Sequence, residues 1–339
     1  MLGLPSGIDV LVSRVYRVVA AERSYGVANA FALGLMALAV LGIYLYSRLT
    51  RDAQKYDTVT GTGFIRARVG LGRFQVAADL FLVVYLLVLV VLPLLTLVWN
   101  AFLPYPMAPS REALSALALK NFQTVLVSSK TVLAFQNTFV VAGLAAVLCV
   151  GLGAVVAWIV LRSQARRRWV LDALTFVPLA IPGVILGVAL IWIYLTLPIP
   201  IYGTLLILVA AYTTSFPPIA IRFLAPALGR IHRELEEVAY TSGATWWATF
   251  RRVLLPLLFP AALGAGLSVF MLVFRVLAST IVIYTPSAID VLVLVFEIWG
   301  ESGRNAVQAL PVLNTLLLLP VALLYYWLIR RFGLAGRGT

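Results

Sequence analysis

The sequence offers few residues that could carry out chemistry, and each of them is isolated. It holds one cysteine, Cys149, inside an apolar run, and one histidine, His232, in a polar segment. A Cys/His metal site needs several such ligands, and nucleophilic catalysis needs a nucleophile with a base beside it. No glycine-rich loop ending in Lys-Ser or Lys-Thr is present to hold a nucleotide's phosphates. We therefore expect no catalytic residue, no metal site and no cofactor bound by this chain.

A second kind of candidate is a polar group inside an apolar segment, since such groups often mark transport pathways. Arg275 lies well into one apolar run, Thr213-Thr214-Ser215 close another just before Phe216-Pro217-Pro218, and Asn314 lies in the last run. Each also has a structural explanation. Arg275 could extend to the outer interface, the threonine-rich stretch could be a helix end, and Asn314 could bond a neighbouring helix. The residues alone leave both explanations open.

The composition shows what must position these residues. Of 339 residues, 62% are hydrophobic and 12% are charged, which is more apolar side chain than a soluble domain can cover. Apolar runs of about 20 residues span a bilayer as helices, and the runs here are continuous rather than alternating. We predict an all-α polytopic membrane protein with about seven spans, which are Val27–Ser47, Val76–Val98, Thr138–Leu161, Val170–Tyr194, Gly203–Phe223, Leu257–Tyr284 and Val307–Ile329. Pro178 and Pro182-Gly183 predict a kink in the fourth span.

The basic residues predict the orientation of these spans. The net charge is +13, and 18 of the 26 Lys and Arg residues lie in alternate loops and in the C-terminal segment. The positive-inside rule places those loops and the C-terminus in the cytoplasm, and the loops at 104–136 and 286–306 outside. No aromatic and basic recognition motif accompanies the charge, so we expect no nucleic-acid partner.

A short internal repeat predicts the domain organisation. Residues 5–12 read PSGIDVLV and residues 286–293 read PSAIDVLV, with seven of eight positions identical. Each copy precedes an apolar span that ends in arginines. We therefore interpret residues 1–51 as the last outer loop and helix of a first unit, 52–75 as a cytoplasmic linker, and 76–339 as a second unit of six helices.

The longest predicted cytoplasmic loop, residues 229–256, has an ordered pattern of its own. Ile231, Leu235, Val238 and Ala239 fall on one helical face, and Gly243 is a typical helix stop. A second helix is predicted from Thr245 to Leu255, ending at Pro256.

This loop resembles the motif of ABC importer permeases. Glu237-Val238-Ala239 is followed after three residues by Gly243, and after nine more by Val253-Leu254-Leu255-Pro256. The spacing agrees throughout, with Val238 in place of alanine and Val253 in place of isoleucine. The resemblance implies that the first short helix is a coupling helix seated in a groove of an ATP-binding-cassette ATPase. It implies that Glu237 and Ala239 contact that subunit and that Gly243 forms the turn. The coupling-loop residues are thus Glu236, Glu237, Ala239, Gly243, Leu255 and Pro256.

The resemblance extends over about residues 137–331, which are similar to the six-helix core of the type I importer fold. Pro178–Gly183, Ile231–Glu237 and Phe274-Arg275 resemble the branch of fused iron(III) permeases. It implies a multi-pass permease of the bacterial inner membrane that moves iron(III) delivered by a periplasmic binding protein. The implied partners are a dimer of ATPase subunits, which would hold the ATP and magnesium, a second permease half or copy, and membrane lipid.

Other functions stay open from the sequence. The same family could carry a polyamine, a phosphonate, thiamine or an anion. A secondary transporter driven by an ion gradient is a more remote alternative, because such proteins use membrane-embedded carboxylates and this chain offers almost none.

Overall fold

A computed structural model of the protein describes residues 14, 18, 25–50, 72–196, 201, 203–301 and 308–331. The regular structure of these residues is helical, as the apolar runs predict. The helices are α1 Tyr25–Thr50, α2 Gln75–Ala101, α3 Arg111–Ser115, α4 Lys120–Val127, α5 Ser129–Arg162, α6 Arg168–Ala180, α7 Gly183–Thr196, α8 Leu205–Ser215, α9 Pro217–Gly229, α10 Glu234–Thr241, α11 Trp246–Val273, α12 Thr280–Ile283, α13 Val291–Glu301 and α14 Ala309–Arg331.

Four of the described helices are long and apolar enough to cross a membrane, namely α2, α5, α11 and α14. Two bent pairs bring the number to six if each pair forms one span: α6 with α7, bent by 107°, and α8 with α9, bent by 48°. The predicted kink of the fourth span is confirmed, because α6 ends at Ala180 and α7 begins at Gly183. Ile181 between them is extended, as expected for a residue that precedes a proline. The first predicted span lies within α1.

Small residues explain how α5 comes to lie at the centre of its neighbours. Ala142, Ala145, Cys149, Gly153 and Ala157 are buried along one face of this helix, against α8, α9 and α11. A methyl group added at Gly153 would come within 2.9 Å of the Ala220 Cβ atom on α9. In lipid, where apolar surface gains little by burial, such small side chains allow helices to approach closely enough for packing and dispersion forces to hold them.

The predicted sixth span is wrong at its outer end. The sequence is apolar up to Tyr284, but α11 ends at Val273, and residues 274–279 turn before the short helix α12. The turn brings Ser279 against α7, where Gly183 and Gly187 leave room for its backbone. Apolarity did not reveal this break, because Val276, Leu277 and Ala278 within the turn are themselves apolar.

The described chain forms two compact units. One comprises Met1–Ala37, Ser128–Glu297 and Asn314–Thr339, and the other comprises Leu38–Val127 and Ile298–Leu313. In the second unit the Asn121 side chain donates to the carbonyls of Ala101 and Leu103, which fixes the end of α2 beside α4. The repeat copy at 5–12 and residues 52–71 of the predicted linker lie outside the described residues, so the predicted domain boundaries stay a prediction.

Candidate functional site

Loop 229–256 forms two helices joined by a tight turn. Three acidic residues, Glu234, Glu236 and Glu237, occupy the first turn of α10, where they stabilise the positive end of the helix dipole. The Arg233 side chain, just before α10, donates to the carbonyl of Leu161 at 2.8 Å. The structure thus has a short helix before Gly243, as the pattern predicts, although Ile231 precedes it; the helix begins against the end of α5.

Gly243 makes the turn after α10. Its φ angle is +83°, a left-handed conformation that glycine adopts at little cost. The Gly243 amide donates to the Tyr240 carbonyl at 2.9 Å, and the Ala244 amide donates to the Ala239 carbonyl at 3.0 Å. These two bonds form a Schellman ending for the helix. Thr245 then caps the next helix, since its hydroxyl accepts from the Ala248 amide.

The second predicted helix does not end at Pro256, which corrects the sequence prediction. The helix that begins at Trp246 continues through Leu255 and Pro256 to Val273. A single π-helical turn, Phe250–Leu254, ends two residues before the proline. In a regular α-helix the proline ring would clash with the carbonyl four residues earlier, and a wider turn gives that ring room. Loop and spanning helix are thus one continuous rod beyond Gly243.

On α10 apolar side chains are exposed and an acidic side chain is buried, which is the reverse of an ordinary amphipathic surface helix. The side chains of Leu235 and Val238 are 47% and 62% exposed, whereas Glu236 is buried. Glu237 is exposed and Ala239 is partly buried. Partial burial raises the pKa of the Tyr240 phenol, and the negative charge of Glu236 raises it further. The helix therefore presents an apolar surface outward and holds one carboxylate inward.

The partner of that carboxylate is Arg162, the last residue of α5. Arg162 Nε lies 2.8 Å from Glu236 Oε1, and both side chains are only 9% exposed. The Arg162 Nη2 group also donates to the carbonyls of Leu228 and Ile231. Sequence reasoning missed Arg162, because it reads as one more basic residue at the end of a span. Its nearness to α10 is visible only in the fold.

Aromatic rings fix the start of α11. Trp246 packs edge-to-face on Trp158 of α5, with ring centroids 5.4 Å apart, and stacks on Phe250 at 5.5 Å. Trp247 also stacks on Phe250, with ring centroids 5.9 Å apart, and is largely exposed. Tryptophans at a helix end are typical of the membrane interface. The rings hold the helix that follows Gly243 against the C-terminal end of α5.

The pathway candidates lie at helix breaks. Arg275 is in the turn after α11 and is exposed, with no ion pair to any described residue. Thr214 and Ser215 bond back to carbonyls of their own helix, at the bend between α8 and α9, and the Thr213 hydroxyl has no partner among the described atoms. Breaks in spanning helices commonly form substrate sites in transporters, so these residues stay candidates.

Asn314 is placed differently from the other candidates. It is buried, and its side-chain amide donates to the Phe274 carbonyl in a long 3.5 Å bond. That carbonyl belongs to the turn that ends α11. The geometry matches the structural alternative, in which Asn314 bonds a neighbouring helix.

A second polar cluster lies at the repeat copy 286–293, and sequence reasoning noted only its pattern. The buried Asp290 side chain accepts from the Val293 amide at 2.8 Å and from the Tyr212 hydroxyl at 3.2 Å. Asn137 of α5 donates to the carbonyls of Ser287 and Ile289. Burial raises the pKa of the Asp290 carboxyl, and the hydrogen bonds that it accepts oppose that rise. Asp290 is thus a helix cap, and the loop that precedes it is held to α5 through its backbone carbonyls.

The described residues bring no group of three His, Cys, Asp or Glu side chains together in a way that could hold a metal ion. The candidate site consists of a buried ion pair, a left-handed glycine and a long apolar helix that begins just after that glycine.

The family match and the relatives of this chain both belong to membrane components of transport systems. Residues 149–334 match the family described as binding-protein-dependent transport system inner membrane component. The putative ferric transport system permease protein FbpB 1 of Haemophilus influenzae is 30% identical over 173 residues, which are 51% of this chain and 27% of that protein. The putative 2-aminoethylphosphonate transport system permease protein PhnV of Salmonella paratyphi A is 29% identical over 267 residues, covering 76% and 92%.

Other relatives have other substrates in their names. The probable sulfate transport system permease protein cysT of Chlorella vulgaris is 32% identical over 193 residues, covering 49% of this chain and 70% of that one. The matches span only 27% and 33% of the two Haemophilus influenzae ferric permeases. Among solved structures, a bacterial ABC transporter that imports alginate has a TM-score of 0.61 at 17% identity, covering 85% of this chain and 99% of that one. This likeness shows the fold.

Proposed function

We propose, since the chain belongs to the family of binding-protein-dependent transport system inner membrane components, that it is the permease of an ABC importer driven through loop 229–256. The proposal is supported mainly by the way the two helices of that loop are arranged. A short helix with exposed Leu235 and Val238 is joined through Gly243 to a rod that runs into the membrane region. An exposed apolar surface beside exposed charges is what a docking helix needs.

The proposed mechanism is alternating access. ATP binding by two partner subunits, which would hold the ATP and magnesium, draws the coupling helices together and opens a central cavity toward a periplasmic binding protein. Hydrolysis returns the cavity to the inside. The cavity is completed by a second permease half or copy. Rigid helices can carry such a movement because packed cores switch between discrete arrangements rather than deform gradually.

The proposed substrate is iron(III), as in the ferric relatives. Sulfate and 2-aminoethylphosphonate are the second candidates, because relatives named for them match over comparable or longer parts of the chain. The exposed Arg275, a fixed positive charge, fits an anion better than a bare metal cation. If iron(III) is carried, it would therefore be expected to pass together with a coordinating anion.

Uptake of labelled iron(III) into cells tests this function when the wild-type chain is compared with Gly243→Asp at matched membrane levels. Gly203→Asp is the matched control, because Gly203 has a φ angle of +82° and, like Gly243, has open space where a Cβ would lie. Both changes impose the same backbone strain, but only Gly243 lies in loop 229–256.

We expect iron(III) uptake to fall at least about tenfold in Gly243→Asp and to change little in Gly203→Asp. Equal, high uptake in all three proteins would refute the coupling role. If iron(III) uptake is at background in all three proteins, the substrate assignment is wrong, and the same variants are assayed with labelled sulfate and 2-aminoethylphosphonate.

A further inference from the structure

We infer that Arg162 transmits movement of α10 to the membrane helices, and that its ion pair with Glu236 is the contact through which it does so. The inference rests on the proposed function and deepens it, since it names how a push on loop 229–256 reaches the spans. It rests on three contacts that converge on one side chain.

The Arg162 side chain makes three contacts outside its own helix. Its guanidinium lies against the Glu236 carboxylate of α10, the Leu228 carbonyl at the end of α9 and the Ile231 carbonyl in the segment between them. One side chain therefore joins the ends of three elements: α5, α9 and α10. The planar guanidinium suits this task because its five donors diverge in a fixed fork.

Arg162 belongs to the helix that makes the most extensive contacts among the described helices. It is the last residue of α5, a helix of 34 residues that packs on α8, α9 and α11. A displacement of α10 is therefore delivered to the end of the most extensively packed helix. Exposed Leu235 and Val238 make no comparable connection, so they can serve docking while Glu236 serves transmission.

The contact between α5 and α10 is a buried ion pair rather than an apolar contact. Two buried charges gain little over an apolar pair in stability, and their use is to fix one arrangement against others. At this position a fixed arrangement means that α10 cannot rotate or slide without moving α5. Arg166, four residues after Arg162, supplies a matched control, because it is exposed, lies outside loop 229–256 and forms no ion pair with any described residue.

Hydrogen exchange and coupling are measured on the full chain in complex with the ATP-hydrolysing subunit that it carries from its native membrane. The variants are Arg162→Ala, Arg162→Lys, Glu236→Gln and the control Arg166→Ala. Exchange of the amides of residues 234–243 reports whether α10 stays fixed to α5. The number of iron(III) ions transported per ATP hydrolysed, in vesicles with the binding protein, reports coupling.

We expect Arg162→Ala and Glu236→Gln to speed exchange in α10 about tenfold and to lower the transport-to-hydrolysis ratio about tenfold while hydrolysis continues. Arg162→Lys should recover part of both, because it keeps the charge but not the fork. Arg166→Ala should leave both near wild type. Exchange and ratio in Glu236→Gln that equal those of Arg166→Ala would overturn the inference.

Failure of the two proposals is distinguishable. If Arg162→Ala does not accumulate in the membrane, Glu236→Gln, which is isosteric, decides the question. If the wild-type chain binds no ATP-hydrolysing subunit, the proposed function fails. Hydrogen exchange of the α10 amides in the chain alone would still show whether the ion pair of Arg162 and Glu236 fixes α10 to α5.

Discussion

Glu236 and Glu237 are adjacent in sequence and have opposite surroundings. Glu236 is buried against Arg162, whereas Glu237 faces outward from α10. Removing one partner of a buried ion pair leaves the other charge unpaired and costs about 3–5 kcal/mol. An exposed carboxylate carries little stability of its own. The two positions therefore separate the structural part of the loop from its docking part.

We predict that Glu236→Ala lowers the free energy of unfolding by about 3 kcal/mol, because Arg162 is left buried without its carboxylate. Glu237→Ala should leave stability within about 0.5 kcal/mol of wild type. Thermal unfolding of the purified chain in detergent compares the two. Equal melting temperatures would contradict the ion-pair geometry.

Asp290 gives a prediction about pH. Burial raises its pKa in the folded protein above that of the unfolded chain, so the folded state favours the protonated carboxyl. Its stabilising effect is then complete below the unfolded pKa and is lost as pH rises through the raised folded value. We expect the melting temperature of the wild type to fall over this interval relative to Asp290→Asn, which cannot ionise. Parallel pH profiles of the two proteins would contradict the prediction.

At the scale of elements, the close approach of the turn 274–279 to α7 depends on Gly187. A Cβ atom there would meet the Ser279 carbonyl oxygen at 2.7 Å, a backbone atom that cannot move aside alone. We predict that Gly187→Ala destabilises the protein by about 1–3 kcal/mol. Gly143→Ala, in α5 and facing open space, is the matched control and should be neutral or slightly stabilising. Similar melting temperatures for the two variants would contradict the packing.

The elements also show what the sequence could reveal. Apolar run length found the helices, Pro182-Gly183 found the break between α6 and α7, and Gly243 found the turn, since each is a local signal. The end of α11 at Val273 and the passage of that helix through Pro256 were missed. The first depends on contacts with the distant residues Asn314 and Gly187. The second depends on the π-helical turn 250–254, which makes room for the proline ring and which no residue type in that stretch announces. The inward-facing Glu236 was missed because its partner Arg162 lies on another helix.

For the whole molecule, the positive-inside rule predicts that loop 229–256 and the C-terminus face the cytoplasm, and that the loop at 286–306 faces outward. Single cysteines test this in a chain whose one native cysteine, Cys149, is buried. A membrane-impermeant maleimide added to intact cells with a permeabilised outer membrane should label Ser287→Cys and leave Ser242→Cys unlabelled. Labelling of Ser242→Cys from outside would invert the topology.

Recovery of an ATP-hydrolysing subunit with the tagged chain tests most directly whether α10 is the docking helix, when wild type is compared with Val238→Glu and His232→Glu. Both variants add one negative charge at an exposed position, but only Val238 lies on the apolar surface of α10. We expect Val238→Glu to recover the ATP-hydrolysing subunit about tenfold less well or worse, and His232→Glu to retain it. Retention of the subunit by Val238→Glu at the wild-type level would contradict α10 as the place where ATP hydrolysis is coupled to transport.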